Sequence, residues 1–217
     1  MNNKRSDIQS LARQLYRDHK KVLDLVREQG SGPSFELAVH RLFGDNAQRD
    51  STVRIGSRDF VYFQLTQSHV SFLPAEWQRA LNQTPGKWRG CKNWWAGYPL
   101  IVWAELRTGD DGITGHLKLN AEVGPIADHK VRKTMIDAIK AAASGKDLVR
   151  IEFPAGASDK GRLYSRFLRR NTIDLNDIRD ADEMSKALAE LLGGFEPEFD
   201  LVATVLAQLP RSDEPSR

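Results

Sequence analysis

The run Ser51–Pro74, STVRIGSRDFVYFQLTQSHVSFLP, limits the possible folds more than any other stretch of the chain. It is rich in Val, Ile, Phe, Tyr and Thr and repeats with a period near two, the spacing of side chains on a pleated strand. Turn residues interrupt it at Gly56-Ser57 and Gln67-Ser68, which predicts three strands at 52–56, 59–66 and 69–73. Strands joined by connections this short return beside one another, so the run is an antiparallel meander. Its middle member, Phe60-Val61-Tyr62-Phe63-Gln64-Leu65, is apolar on both sides and belongs in the centre of a sheet.

The same period returns in Pro99–Arg107 and Ile113–Val123, with Thr108-Gly109-Asp110-Asp111-Gly112 between them as a hairpin loop. In the second of these, Leu117, Leu119, Ala121 and Val123 alternate with His116, Lys118, Asn120 and Glu122, giving one buried face and one wet face. Val149, Ile151 and Phe153 predict a sixth strand, and Arg162–Ile173 a seventh. Elsewhere the apolar spacing is helical. Ser6-Asp7-Ile8-Gln9 opens a long amphipathic helix over 7–29, and Ser34 caps a shorter one carrying Phe35, Ala38, Val39, Leu42 and Phe43 to a stop at Gly44. Helices follow at 74–81, from Asp128 to Gly145 (with Val131, Met135, Ala138, Ile139 and Ala142 as its stripe), from Asp180 to Gly194, and from Pro197 to Pro210. The chain is therefore expected to be α+β: a mostly antiparallel sheet of about five to seven strands, helices on one face and a helix pair at the C-terminus. Its organisation is an N-terminal helix pair over 1–45 packed on an α+β domain over 46–210, then a loose polar tail over 211–217.

Several function classes are excluded at this level. No apolar run has the length of a bilayer span and the start, MNNKRSDIQS, has no apolar signal core, so a cytoplasmic protein with no membrane partner is expected. One cysteine, Cys91, rules out an internal disulfide and a cysteine-based zinc site. The histidines His19, His40, His69, His116 and His129 show no metal-binding spacing, and Gly86, Gly90 and Gly97 fit neither a phosphate-binding loop nor a dinucleotide fingerprint. No catalytic residue, metal or cofactor is assigned.

What the chain does present is a concentration of indoles and cations. Four of the five tryptophans fall in Gly86–Leu106, GKWRGCKNWWAGYPLIVWAEL, and no acid lies between Thr84 and Gly97. Lys87, Trp88, Arg89, Lys92, Trp94 and Trp95 thus combine π faces with positive charge, the composition that holds single-stranded nucleic acid. A second basic segment, Lys160–Arg170, has five cations and no acid, while Asp174–Asp200 carries nine acids against two cations. Arg162, Arg166, Arg169 and Arg170 are the residues of that segment expected to neutralise phosphates. The reading is a non-enzymatic nucleic-acid-binding module, with the same Trp and Arg patch as a protein–protein hot spot, in an inhibitor or complex subunit, as the alternative. A third reading is a degenerate metal-dependent nuclease, with Asp59, Glu105 and Arg107 converging at strand ends.

The order of helix pair, aromatic strand Phe60–Phe63, SFLPAEW, tryptophan loop, LNAEVGP and YSRFLRR resembles the C-terminal, non-catalytic portion of bacterial PD-(D/E)xK nuclease-like proteins of phage defence. The chain lacks that group's Asp then Glu-x-Lys signature. The resemblance therefore implies a binding or regulatory module of a defence system and not its cutting part.

Overall fold

In a computed structural model, residues 32–83 and 88–209 are described. The expected helix over 7–29, Lys87 and the tail over 211–217 lie outside them. Among the described residues the chain forms five helices and seven strands: α1 (Gly32–Phe43), β1 (Thr52–Ile55), β2 (Arg58–Leu65), β3 (His69–Pro74), α2 (Ala75–Asn82), β4 (Leu100–Thr108), β5 (Gly115–Val123), α3 (His129–Gly145), β6 (Ser165–Arg166), β7 (Thr172–Leu175), α4 (Ala181–Gly194) and α5 (Glu196–Gln208). Every strand pairing is antiparallel, in the order β1-β2-β3-β4-β5-β6, and β7 shares the outer edge of β5 with β6. No helix among the described residues is long and apolar enough to cross a membrane.

The α+β class follows from how the sheet is dressed. On one face Leu100, Val102, Ala104 and Leu106 of β4 lie opposite Val123, Ala121, Leu119 and Leu117 of β5, all buried. Phe60, Phe72 and Phe43 meet there edge to face or tilted, and Phe199 of α5 closes on Phe60 and on Trp77 of α2. Trp77 is fully buried, and its indole N–H donates to the Phe199 carbonyl at 2.9 Å, which satisfies the one polar atom of a large apolar side chain. α1 packs against α4 and β1, with Phe35, Ala38, Val39 and Phe43 in the core. Arg150 reaches the buried Glu198 carboxylate with two nitrogens, at 2.8 and 2.6 Å, and so ties the segment after α3 to α5.

Four local expectations are corrected. Ser34 does not cap α1, which already begins at Gly32; its hydroxyl donates instead to the Arg179 carbonyl at 3.0 Å. Asp180-Ala181-Asp182-Glu183 reads in sequence as a capping box, and Asp180 does cap α4, accepting from the Asp182 and Glu183 amides, but Glu183 accepts from the Asn176 and Asp177 amides instead of closing the box. The buried stripe of α3 is Arg132, Met135, Ile136, Ile139 and Ala143, rotated from the expected one. The fourth correction concerns the sheet edge. Residues 149–153 form only an isolated bridge, Ile151 to Leu168, and 162–173 is not one strand but β6 and the start of β7. The reason is a break between them: Arg170 adopts a left-handed φ of 49°, and the Asn171 side chain, not a backbone group, donates to the Leu119 carbonyl.

Candidate functional site

The second face of the sheet is built differently from the first. Cross-strand register places His69 opposite Glu105, Ser71 opposite Trp103, Trp103 opposite Asn120 and Glu105 opposite Lys118, with Ile101 opposite Glu122 and Glu122 opposite Arg166. This face mixes polar side chains with the buried Ile101 and Trp103. Over one half of it lies the loop between α2 and β4.

The loop is a chain of tight turns: Cys91 N donates to Trp88 O, Trp94 N to Cys91 O and Gly97 N to Trp94 O. It docks on the segment that follows β5. Gly90 has a φ of +100°, and a Cβ there would overlap the Pro125 carbonyl oxygen and lie 2.8 Å from Ala127 N, so only glycine permits this approach. The Ala127 amide donates to Arg89 O at 2.6 Å, and Cys91 is sealed beneath. Each indole has a place. Trp88 donates through Nε1 to Leu81 O at 2.9 Å, at the C-terminal end of α2. Trp94 lies on Gly124, where any Cβ would enter its ring, and 6.2 Å from the Tyr164 ring. Trp95, itself at a left-handed φ of 45°, stacks on Trp103 with centroids 5.4 Å apart and meets the His69 ring edge-on. Trp88, Trp94 and Trp95 are therefore half-buried, and Trp103 is buried.

The two basic segments of the sequence adjoin at these rings. The Arg166 guanidinium sits 4.8 Å from the Trp103 ring and 3.6 Å from the Glu122 carboxylate. Arg162 donates to Tyr164 O at 3.4 Å, beside Trp94, and its charge is felt by the buried Arg132. Arg89, Lys92, Lys160 and Arg162 are exposed. Arg169 and Arg170 are farther along the edge: Arg169 pairs with Glu152 at 3.8 Å, and Arg170 is exposed in the turn before β7. The structure brings Arg162 and Arg166 to the tryptophans and does not bring these two.

Sequence reasoning named Glu105, Arg107, Glu122 and His69 one by one but not their grouping on the second face. Glu105 takes Arg107 at 2.6 Å through one oxygen, and its other oxygen is buried without a hydrogen-bond partner. Burial lowers the His69 pKa, partly countered by Glu105, and burial raises that of Glu122 against the pull of Arg166. Glu105 and Arg107 are neighbours on one strand, but His69 and Glu105, and Glu122 and Arg166, lie dozens of residues apart in the chain, so only the strand register reveals those two pairs. The nuclease constellation does not form. Asp59 pairs with Arg54 at 3.1 Å at one end of β2, whereas Glu105 is level with the other end, two strands away. Six residues of strand separate those levels, roughly 20 Å. Among the described residues no group of three or more His, Cys, Asp or Glu is arranged to hold a metal ion.

Cys91 is chemically quiet. Burial pushes its thiol up to about 11, and its Sγ lies 3.7 Å from the Pro125 carbonyl. Two units above the ordinary value leave about 100-fold less thiolate, so iodoacetamide at pH 8 is expected to alkylate the native protein about 100-fold more slowly than the unfolded chain. Equal rates would show that the loop does not seal the thiol. Because the folded thiol ionises later than the unfolded one, this group's contribution to stability is complete below pH 9 and is lost as pH rises towards 11.

Comparison with known proteins gives no match: no protein family, no curated protein and no solved structure is significantly similar to the chain.

Proposed function

We propose that this chain is a binding module for single-stranded nucleic acid, which it takes along the rim formed by the tryptophan loop and the segment after α3. The observation that carries the reading is the meeting of two cation-rich stretches, distant in sequence, at one aromatic cluster: Arg162 bonds the carbonyl of Tyr164, whose ring lies 6.2 Å from Trp94 of the loop, and Arg166 sits on Trp103, on which Trp95 of the loop stacks. Arg89, Lys92 and Arg162 neutralise phosphates, and Lys87 adds a charge next to them in the sequence. The half-buried rings of Trp88, Trp94 and Trp95 leave part of their surface to solvent for stacking and are held in place beforehand, so little side-chain entropy is lost on binding. Arg166 contributes less than its formal charge because Glu122 already balances it.

The test is a titration with a single-stranded oligonucleotide followed by tryptophan fluorescence. Quenching is expected at low salt. With about 0.7 per phosphate contact, four cations give a log–log salt slope of about −3. No quenching and no change in oligonucleotide anisotropy at low salt would overturn the reading. A protein partner is the second reading, and it has its own support: Leu163 and Tyr164 are about half exposed beside Trp94, an apolar and aromatic rim next to an arginine. Capture that persists at high salt distinguishes it, since apolar contacts outlast phosphate contacts. The resemblance to phage-defence proteins makes a role in such a system part of the same proposal.

A further inference from the structure

We infer that the cleft between α2 and the tryptophan loop is a subsite for one nucleoside phosphomonoester, either a free mononucleotide or the phosphorylated end of a strand. The inference deepens the nucleic-acid reading, on which its choice of ligand rests.

The cleft has a volume of about 470 Å³ and is walled by Leu81 and Asn82 of α2 and by Trp88, Arg89, Lys92 and Tyr98 of the loop. That volume is at the low end of the roughly 300–1,000 Å³ of small-molecule sites, which suits one nucleotide and not a run of them. Its two aromatic walls are fixed in advance. Trp88 is held by its Nε1 bond to Leu81 O, and the Tyr98 hydroxyl donates to Asn82 Oδ1 at 3.0 Å. Since that bond engages the Asn82 carbonyl oxygen, the side chain's remaining hydrogen-bonding capacity in the cleft lining includes its NH₂ donor. Leu81 and the two rings supply a surface for a base, and the amide a donor for a ring nitrogen or carbonyl.

Charge decides the rest. Arg89 and Lys92 are exposed, and among the described residues no acidic side chain lines the cleft. The C-terminal end of α2 also points here, and a helix end of this polarity brings about half a negative charge. Two full cations outweigh it, so the cleft stays net positive. A phosphomonoester carries about −1.5 to −2 at neutral pH, against one charge for an internal phosphodiester. Two cations with no competing carboxylate match the doubly charged terminal group better than an internal one. The Arg89 guanidinium takes two phosphate oxygens side by side, and the Lys92 ammonium acts as a point charge on the third.

The experiment compares adenosine monophosphate with adenosine, and a 5′-phosphorylated oligonucleotide with the same strand ending in a hydroxyl. Each is titrated into the whole protein and into the R89A/K92A variant, whose substituted side chains are exposed and outside the core. Adenosine monophosphate is expected to bind about tenfold or more tightly than adenosine, and the phosphorylated strand to exceed the hydroxyl strand by a similar factor, with both differences lost in R89A/K92A. Equal binding of monophosphate and nucleoside, or a phosphate preference untouched by R89A/K92A, overturns the inference. If both strands bind equally and with steep salt dependence, the cleft inference falls and the rim reading stands. If the monophosphate binds through Arg89 and Lys92 while neither strand binds, the rim reading falls and the cleft inference stands.

Discussion

Replacing Arg132 by alanine is expected to lower the melting temperature by about 10 °C, the largest effect of any single change away from the core aromatics. Arg132 is 2% exposed, on the inward side of α3. It donates through Nε to Gly124 O at 3.1 Å, through Nη1 to Ala157 O at 2.8 Å and through Nη2 to Ser165 Oγ at 2.8 Å. Burial, and then the charge of Arg162, pull its pKa down, with Glu122 acting the other way. Truncation removes three hydrogen bonds, leaving Gly124 O to the Ile126 amide and Ala157 O to the Ser165 hydroxyl alone, and opens a cavity where the side chain was, together about 3–5 kcal/mol. At roughly 2–4 °C per kcal/mol for a chain of this size, the shift follows. Lysine restores the charge but not the three-directional fork, so R132K is expected to recover less than half of the loss. Thermal unfolding followed by circular dichroism gives the answer, and a drop under about 2 °C would mean that water replaces the guanidinium without cost. The same change should weaken oligonucleotide binding, because Gly124 is the floor on which Trp94 lies.

The second large effect is expected at Gly90. An alanine there must hold φ near +100° and force its Cβ into the Pro125 carbonyl, a backbone atom that cannot turn aside. Strain of about 1–3 kcal/mol is joined by the displacement of the loop itself. G90A should therefore red-shift the tryptophan emission and abolish quenching by oligonucleotide, as well as lower stability. Gly97 supplies the matched comparison. It too has a positive φ, 82°, but its nearest neighbour to a Cβ is Lys92 O at 4.0 Å, so G97A carries only the conformational cost of about 1 kcal/mol. If G90A and G97A behave alike, docking of the loop on residues 125–127 is not what holds the indoles.

These two positions also mark where the sequence stops being legible. The meander was readable because a two-residue period survives in the chain: β1 to β5 fall within two residues of their expected bounds, and Leu117, Leu119 and Ala121 of β5 are buried as expected, whereas Asn120 and Glu122, expected on its wet face, are buried as well because the tryptophan cluster and Arg166 cover that end. Arg132 was not readable, since a charged residue in an amphipathic pattern is assigned to the wet side unless its three acceptors, from 124, 157 and 165, are known. Glu198 was missed for the same reason, its partner Arg150 lying in another part of the chain. β6 and β7 are too short to carry a period, and their split depends on one left-handed residue and one asparagine. Within the site, the composition of the tryptophan loop singled out Trp88, Trp94 and Trp95, but it gave neither the stacking of Trp95 on Trp103 nor the half-burial of those three rings. Both depend on a sheet face that the loop meets only after folding. The charge balance of that face is likewise a property of register where Glu122 meets Arg166, while Glu105 and Arg107 are alternate residues of one strand.

The way β5 is completed has a consequence for how the molecule is made. Its outer side is closed by two separate late segments, through Phe167 N to Ala121 O, Leu119 N to Asn171 O and the β7 ladder. A ribosome therefore exposes this apolar strand with one row of amides and carbonyls unmatched until everything past Gly161 has emerged. Products of premature termination in α3 would retain that bare margin, and such fragments should pile up side by side into aggregates instead of surviving as shortened domains.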